Sequence, residues 1–218
     1  MVDFAVARRA MVDCQVRPSD VTNLRLIGAM MDVPRERFVP AAQRAVAYLD
    51  RDIAVTGGRM LIKPMVLAKL LQAAEIAEGE RVLDVGCASG YSTAVIGKLA
   101  GEVVALEEDT ALARSAGETL AATGASNISV VSGPLATGWP GGAPYDVIVV
   151  EGAVETVPDS LLKQLNEGGR LLTVVNSSGL MGKATVYRMG GGHVTAQPLF
   201  DASAPLLQAF AKPPAFVF

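Results

Sequence analysis

Short apolar runs separated by amphipathic stretches dominate the middle of the chain. Residues 81–85, 102–107, 128–132, 146–151 and 169–175 are rich in Val, Ile and Leu, and their cores are continuously apolar, as in Asp146-Val147-Ile148-Val149-Val150. Strands buried on both faces of a parallel sheet read this way, whereas half-exposed strands alternate. Residues 91–99, 109–123 and 158–166 lie between these runs and predict helices, so the pattern is strand–helix alternation. Gly168-Gly169 ends the last of these helices and turns into the fifth strand. Beyond it, 184–189 and 194–199 flank Gly190-Gly191-Gly192-His193, a hairpin signal that predicts antiparallel strands finishing the sheet.

Upstream the period becomes helical. Phe4, Ala7, Met11 and Cys14 share one face over 3–15, Arg17-Pro18 stops that helix, and Ser19-Asp20 offers an N-cap to a second one carrying Leu24, Ile27, Met30 and Met31. Pro34 and Pro40 bracket a connector, 53–59 reads as a loop containing Gly57-Gly58, and Pro64 opens an amphipathic helix over 65–76. The expected fold is α/β: a Rossmann-like, doubly wound, mostly parallel seven-stranded sheet with antiparallel C-terminal strands. A helical N-terminal segment, residues 1–50, is expected to pack on the main domain, residues 51–218. Its stripes are assigned to that domain and not to a second subunit, because amphipathic faces usually serve the core. Lys212-Pro213-Pro214 marks an irregular end.

Composition narrows the function classes. Of the 218 residues, 50% are hydrophobic and 19% charged, which supplies a large core and argues against disorder. The net charge of −3, without a run of like charge, disfavours nucleic-acid binding. No apolar run approaches the ~20 residues of a membrane span. The two cysteines, Cys14 and Cys87, stand far apart and form no metal-ligand or C-x-x-C pattern, so a reducing, cytoplasmic setting is expected and no metal site. The single histidine, His193, falls in a turn and is read as a surface residue. Oligomeric state leaves no signal in the sequence.

The candidate chemistry sits where the first strand, bearing Asp84, runs into Gly86-Cys87-Ala88-Ser89-Gly90 and a helix opens at Tyr91. Such a turn lets a ligand lie against bare backbone beside the unpaired N–H groups of a helix N-terminus. The second strand ends in Glu107, at about the 20-residue offset of a carboxylate that grips ribose hydroxyls. Together these point to an adenosine-containing cofactor. A dinucleotide is disfavoured because the third and sixth fingerprint positions are Ala88 and Tyr91, and a P-loop is excluded because no G-K-[ST] follows. The remaining G-x-x-x-G resembles motif I of S-adenosylmethionine-dependent methyltransferases, with Ala88 departing from the commoner G-x-G-x-G. Ligands of such sheets bind beyond the carboxyl ends of the strands, which gathers Gly86 to Gly90, Glu107, Ser132-Gly133-Pro134 and Glu151-Gly152 on one rim.

The resemblance extends further. Val33-Pro34-Arg35-Glu36-Arg37-Phe38-Val39-Pro40, Ala47-Tyr48-Leu49-Asp50, Gly138-Trp139-Pro140 with Ala143-Pro144-Tyr145-Asp146, and Leu161-Leu162-Lys163-Gln164-Leu165 with Gly168-Gly169-Arg170-Leu171 are similar to blocks of the protein-L-isoaspartate O-methyltransferase family. Membership implies methyl transfer from S-adenosyl-L-methionine to a carboxylate of isoaspartyl residues in damaged proteins, hence a protein or peptide substrate. By register the resemblance places the cofactor against Asp84, Gly86, Cys87, Ala88, Gly90, Glu107, Glu108, Pro134, Leu135 and Glu151.

Three positions depart from the family. The serine of its T-I-S-x-P substrate loop falls on Ile62, so no catalytic residue is assigned, and Lys63 beside it reads as a solvated helix-start lysine or as a carboxylate attractor. The family's G-D-G after the third strand becomes Gly133-Pro134-Leu135, which removes a carboxylate and a backbone N–H; one such hydrogen bond is worth about 1–3 kcal/mol. The family's T-A-A after the fourth strand becomes Glu151-Gly152-Ala153. Glu151 reads equally as an ordinary strand-end acid or as a new group that favours a sulfonium and repels an anionic acceptor. Three readings therefore stay open: an isoaspartyl methyltransferase, a methyltransferase with another acceptor, and a non-catalytic binding module.

Overall fold

The computed structural model describes residues 3–56, 58–177 and 181–212. Asp3 caps α1 (Phe4–Met11), its carboxylate accepting from the amides of Ala5 and Val6. The predicted helix over 3–15 then changes character: Val12–Val16 forms a wider π-helical turn and Arg17–Ser19 a tight 3-10 turn. Pro18 has no amide to continue the α-helical ladder, and Asp20, at φ 63°, ends the run. The cap of α2 (Leu24–Asp32) is Asn23, which accepts from Arg25 and Leu26 amides, and not Ser19-Asp20. Ser19 instead donates its hydroxyl to the Gln15 carbonyl.

The stretch read as a loop over 53–59 is closed by a small antiparallel hairpin. Its strands are β1 (Ile53–Ala54) and β2 (Met60–Leu61), with Ile53 opposite Leu61. Helix α3 (Pro64–Ala74) follows, with proline in its first turn as expected. The alternating region then forms β3 (Arg81–Val85), α4 (Tyr91–Gly97), β4 (Glu102–Glu107), α5 (Thr110–Ala121), β5 (Ile128–Ser132), β6 (Tyr145–Val154), α6 (Asp159–Leu162), β7 (Leu165–Val175), β8 (Gly182–Gly190) and β9 (His193–Ala202).

These seven strands lie in the order β5-β4-β3-β6-β7-β8-β9. The first five pair in parallel, and β7, β8 and β9 close the sheet as an antiparallel meander, as the glycine-rich hairpin signal predicted. Several boundaries differ from expectation; β7 begins at Leu165, so Gly168-Gly169 lies within that strand and not at a helix end. Helix α6 is a single turn, because the Gln164 side chain bonds to the Thr137 and Ser160 carbonyls and the Gln164 carbonyl accepts from Tyr145, which starts pairing with β7 at Leu165. Strand β6 runs past Glu151 to Val154, with an irregularity between Val149 and Ala153, so Glu151 lies within a strand.

The continuous apolar character of the strands places a core on each face of the sheet. Along β3, Val82 packs with the side that holds Met11, Leu26, Met30 and Leu67, whereas Leu83 packs with Ile148, Leu161 and Leu171 on the other. The N-terminal helices thus share one core with the sheet. Polar clasps add to this: Gln72 of α3 accepts from the amides of Thr22 and Asn23 and donates to the Asp20 carbonyl. Arg25 donates to the carbonyls of Ile76 and Leu99. The tail Pro213-Pro214 lies outside the described residues.

At the amino ends of the parallel strands a polar network ties the layers together. Arg170 donates to the carbonyls of Ala74 and Glu75 and to both carboxylate oxygens of Glu80, at 2.6 and 2.8 Å. Arg81 pairs with Glu102, and its amide donates to Asp146. Burial pushes the Glu80 carboxyl up, but the Arg170 hydrogen bonds and charge outweigh it and hold its pKa below the ordinary value.

Candidate functional site

Strand order reverses around β3 and β6, with β4 on one side and β7 on the other, which opens a crevice beyond their carboxyl ends. The turn after β3 uses three left-handed residues, Gly86 (φ 78°), Ala88 (φ 50°) and Gly90 (φ 93°). At Gly90 a Cβ would lie 2.9 Å from Leu120 Cδ1 of α5, so backbone angle and close packing both require glycine. Ala88 tolerates the same region at a cost of about 1–2 kcal/mol, and its amide is held by Glu107. The amides of Gly86 and Cys87 both donate to the Leu106 carbonyl, at 2.8 and 3.2 Å, which clamps the turn onto β4.

Glu107 ends β4 fully buried. Its Oε1 accepts from the amides of Glu108 (3.0 Å) and Asp109 (3.3 Å), and its Oε2 from the Ala88 amide (2.9 Å). Oε2 also receives the guanidinium of Arg59 from the end of the hairpin loop, Nη2 at 3.0 Å and Nε at 3.3 Å. The carboxylate is therefore held at the end of β4 by three backbone amides and the Arg59 guanidinium.

Asp84 lies beneath the turn. Its Oδ2 accepts the hydroxyls of Ser92 (2.9 Å) and Thr93 (2.6 Å), tying β3 to the first turn of α4. Burial raises its pKa to about 6, against the lowering effect of those hydroxyls. Glu151 is 6% exposed, and burial, reinforced by the Asp84 charge, lifts its pKa well above the ordinary carboxyl value. Arg35 and Arg59 act against that rise, since their positive charges favour the ionised carboxylate. The fully buried Arg35 donates to the carbonyls of Ala47 (2.9 Å) and Ile62 (2.8 Å) and stacks over Tyr91 at 4.5 Å.

Among the described residues, four buried polar atoms here have no partner at hydrogen-bonding distance, Arg35 Nη1, Tyr91 Oη, Asp84 Oδ1 and Glu151 Oε1, although Arg35 and Tyr91 attract each other electrostatically. Arg35, Tyr91 and Glu151 line one cavity of about 10 Å³ with Met60, Ile62, Gly86 and Ala88. Unmet buried donors and acceptors cost roughly 1–3 kcal/mol each, so their convergence marks a place made for a polar ligand or water.

The other predicted positions are distributed as follows. Cys87 is buried in the turn, and burial pushes its thiol up, so it is no nucleophile. Glu108 and Pro134 are exposed on the rim, while the Leu135 side chain packs into the core below the sheet. Ile62 is buried and contributes its carbonyl to Arg35. The Lys63 amide donates to Asp52, and its side chain makes no helix cap. His193 is exposed at the start of β9. Sequence reasoning did not single out Arg35, Arg59 or Tyr91 as site residues. Arg35 lay inside the N-terminal signature block, but Arg59, in an unpatterned loop, gave no signal.

Known proteins resemble this chain in sequence and in fold. The family model described as Protein-L-isoaspartate(D-aspartate) O-methyltransferase (PCMT) matches residues 7–199. Protein-L-isoaspartate O-methyltransferase 1 of Rhodopseudomonas palustris is 41% identical over 174 residues, covering 80% of this chain and 71% of the relative. The Koribacter versatilis protein-L-isoaspartate O-methyltransferase is 37% identical over 191 residues, 88% of this chain and 86% of the relative. A solved protein-L-isoaspartate O-methyltransferase superposes with a TM-score of 0.80 at 23% identity, over 92% of this chain and 65% of that one. The Plasmodium falciparum PCMT, solved with S-adenosyl-L-homocysteine, gives 0.81 at 18% identity, over 96% of this chain and 100% of that one. These two structures share the fold, and the family match rests on the sequences. The chain belongs to the protein-L-isoaspartate O-methyltransferase family.

Proposed function

We propose that the protein transfers a methyl group from S-adenosyl-L-methionine to a side-chain or main-chain carboxylate of a protein, with isoaspartyl residues as the acceptor. The observation that carries this reading is the buried Glu107 carboxylate at the lip of the Gly86 turn, inside the matched family region. The donor set fits the cofactor. Glu107 suits vicinal ribose hydroxyls, Gly86 offers bare backbone, and the unpaired Arg35 Nη1 and Tyr91 Oη supply donors for an amino-acid carboxylate. Asp84 Oδ1 and Glu151 Oε1 supply acceptors for its ammonium. Glu108, Pro134 and Leu135 border the adenine end, where Pro134 has neither a carboxylate nor an amide to offer.

When bound, the cofactor supplies an electrophilic methyl on a sulfonium. The acceptor carboxylate is already ionised at neutral pH, so the protein needs no general base, and none is assigned. Its residues orient the two partners in line and exclude water, which is where most of the acceleration of such a reaction arises. Methyl transfer to a different protein carboxylate is the second reading, and Ile62 at the family's serine position favours it. The free thiols of exposed Cys14 and buried Cys87 suit a reducing, cytoplasmic setting.

Methyl-labelled S-adenosylmethionine with an isoaspartyl peptide and its aspartyl twin separates the two. Label on the isoaspartyl peptide alone supports the first reading. Label on neither peptide, but on proteins of a cell extract, selects the second.

A further inference from the structure

We infer that Arg59 is an internal occupant of the ribose position, a guanidinium that the cofactor must displace from Glu107 in order to bind. The inference rests on the cofactor reading above and concerns a pairing that competes with the cofactor for Glu107.

The geometry is specific. A Cβ built on Gly86 would lie 2.6 Å from Arg59 Nη2 and 3.6 Å from Cζ, so the guanidinium lies against the bare backbone that motif I provides. The same guanidinium takes the face of Glu107 Oε2 that a ribose hydroxyl would use, and Arg59 is only 8% exposed. Leu207 completes the plug, its Cδ1 3.4 Å from the same Gly86 position, on a segment pinned to β6 by Ala153 donating to Pro205 and Leu207 donating to Ala153. On the Gly86–Ala88 side of the turn the remaining cavity is about 10 Å³, against the roughly 300–1,000 Å³ of small-molecule sites, while a separate cavity of about 340 Å³ opens on the other side, lined by Ser89, Asp109, Val55 and Thr56.

Electrostatics explains why a side chain fills this space. The amides of Ala88, Glu108 and Asp109 already serve the buried Glu107 carboxylate, and the Arg59 guanidinium adds the opposite charge that such a buried anion favours. Arg59 stands at the end of the hairpin turn, its amide donating to Thr56 and its carbonyl accepting from Val55, with β2 starting at the next residue. The hairpin that carries it also carries Met60 and Leu61 along the cavity wall, so withdrawing Arg59 and enlarging the cavity are one movement. Apparent cofactor affinity is then reduced by the population of the plugged form.

The test is calorimetric titration with S-adenosylhomocysteine of the intact chain, of Arg59→Gln and of Arg59→Lys, with thermal melts of each without ligand. The expected result is binding tightened by about tenfold in Arg59→Gln, together with a lower melting temperature of the ligand-free protein. Arg59→Lys keeps a cation without the two-pronged reach, preserves folding, and is expected to tighten binding by a smaller factor of about three. Equal affinities in all three proteins overturn the inference while leaving the cofactor reading intact, and weaker binding by both variants makes Arg59 a ligand contact and also overturns it. Absence of binding by every protein at millimolar ligand overturns the inference and the cofactor reading together.

Discussion

The two ends of the parallel sheet bury similar groups and treat them differently. At the amino end, Arg170 and Glu80 form a two-pronged pair, and Arg170 spends its remaining donors on the carbonyls of Ala74 and Glu75. At the carboxyl end, Arg59 and Glu107 also pair, but Asp84, Glu151, Arg35 and Tyr91 each keep an unmet atom. Saturated networks fix layers in place, while buried groups left short of partners mark where the fold has kept capacity for something else.

Glu107→Ala should strain the comparison most. It strands the buried Arg59 and unpairs the amides of Ala88, Glu108 and Asp109, so a loss of about 3–5 kcal/mol is expected in denaturant unfolding, with S-adenosylhomocysteine binding abolished. Arg170→Met should cost somewhat less, about 2–3 kcal/mol, because Glu80 at the sheet edge regains water; ligand affinity should stay unchanged. A tenfold loss of affinity in Arg170→Met would mean that the two ends are not independent.

The pH dependence sharpens the comparison, since the two carboxyls shift in opposite directions. Glu80 is held below its ordinary value, so its pairing stabilises the fold above the unfolded pKa and is lost as pH falls through the lower folded value. Asp84 is raised to about 6 by burial, so the native state holds its proton more tightly than the unfolded chain does. Its contribution is therefore favourable at low pH and declines as pH rises from about 4 through 6. Asp84→Asn should raise the melting temperature at pH 8 by about 3 °C and leave it nearly unchanged at pH 4, as scanning calorimetry would detect. The smallest effect is expected from Ala88→Gly, which relieves a left-handed alanine at the expense of a freer unfolded chain, for a net gain below about 1 kcal/mol.

The strands were legible because Val147-Ile148-Val149-Val150 and its counterparts admit no exposed face, and Glu107 was legible from its offset to Gly86. The cap of α2 falls on Asn23 and not on Ser19-Asp20 because all three are good caps, and only the geometry after Pro18 decides among them. Helix α6 was overestimated because the Gln164 side chain, folded back onto Thr137 and Ser160, ends it through bonds that no local pattern announces. At the site, the upward shift of the Glu151 pKa comes from how deeply β6 is covered, and the Arg59–Glu107 pair spans 48 positions of sequence. Both are products of tertiary structure, so neither leaves a trace in spacing or composition.

The clasp of Gln72 and Arg25 on the N-terminal segment also carries a consequence for the kinetics of opening. Because Arg25 reaches the carbonyls that follow α3 and α4, and Gln72 seals the turn before α2, that segment cannot fray as an appendage. Its α2 amides should exchange with deuterium as slowly as those of β3, through whole-molecule unfolding. In Gln72→Ala they should exchange faster while β3 stays protected, turning one cooperative unit into two.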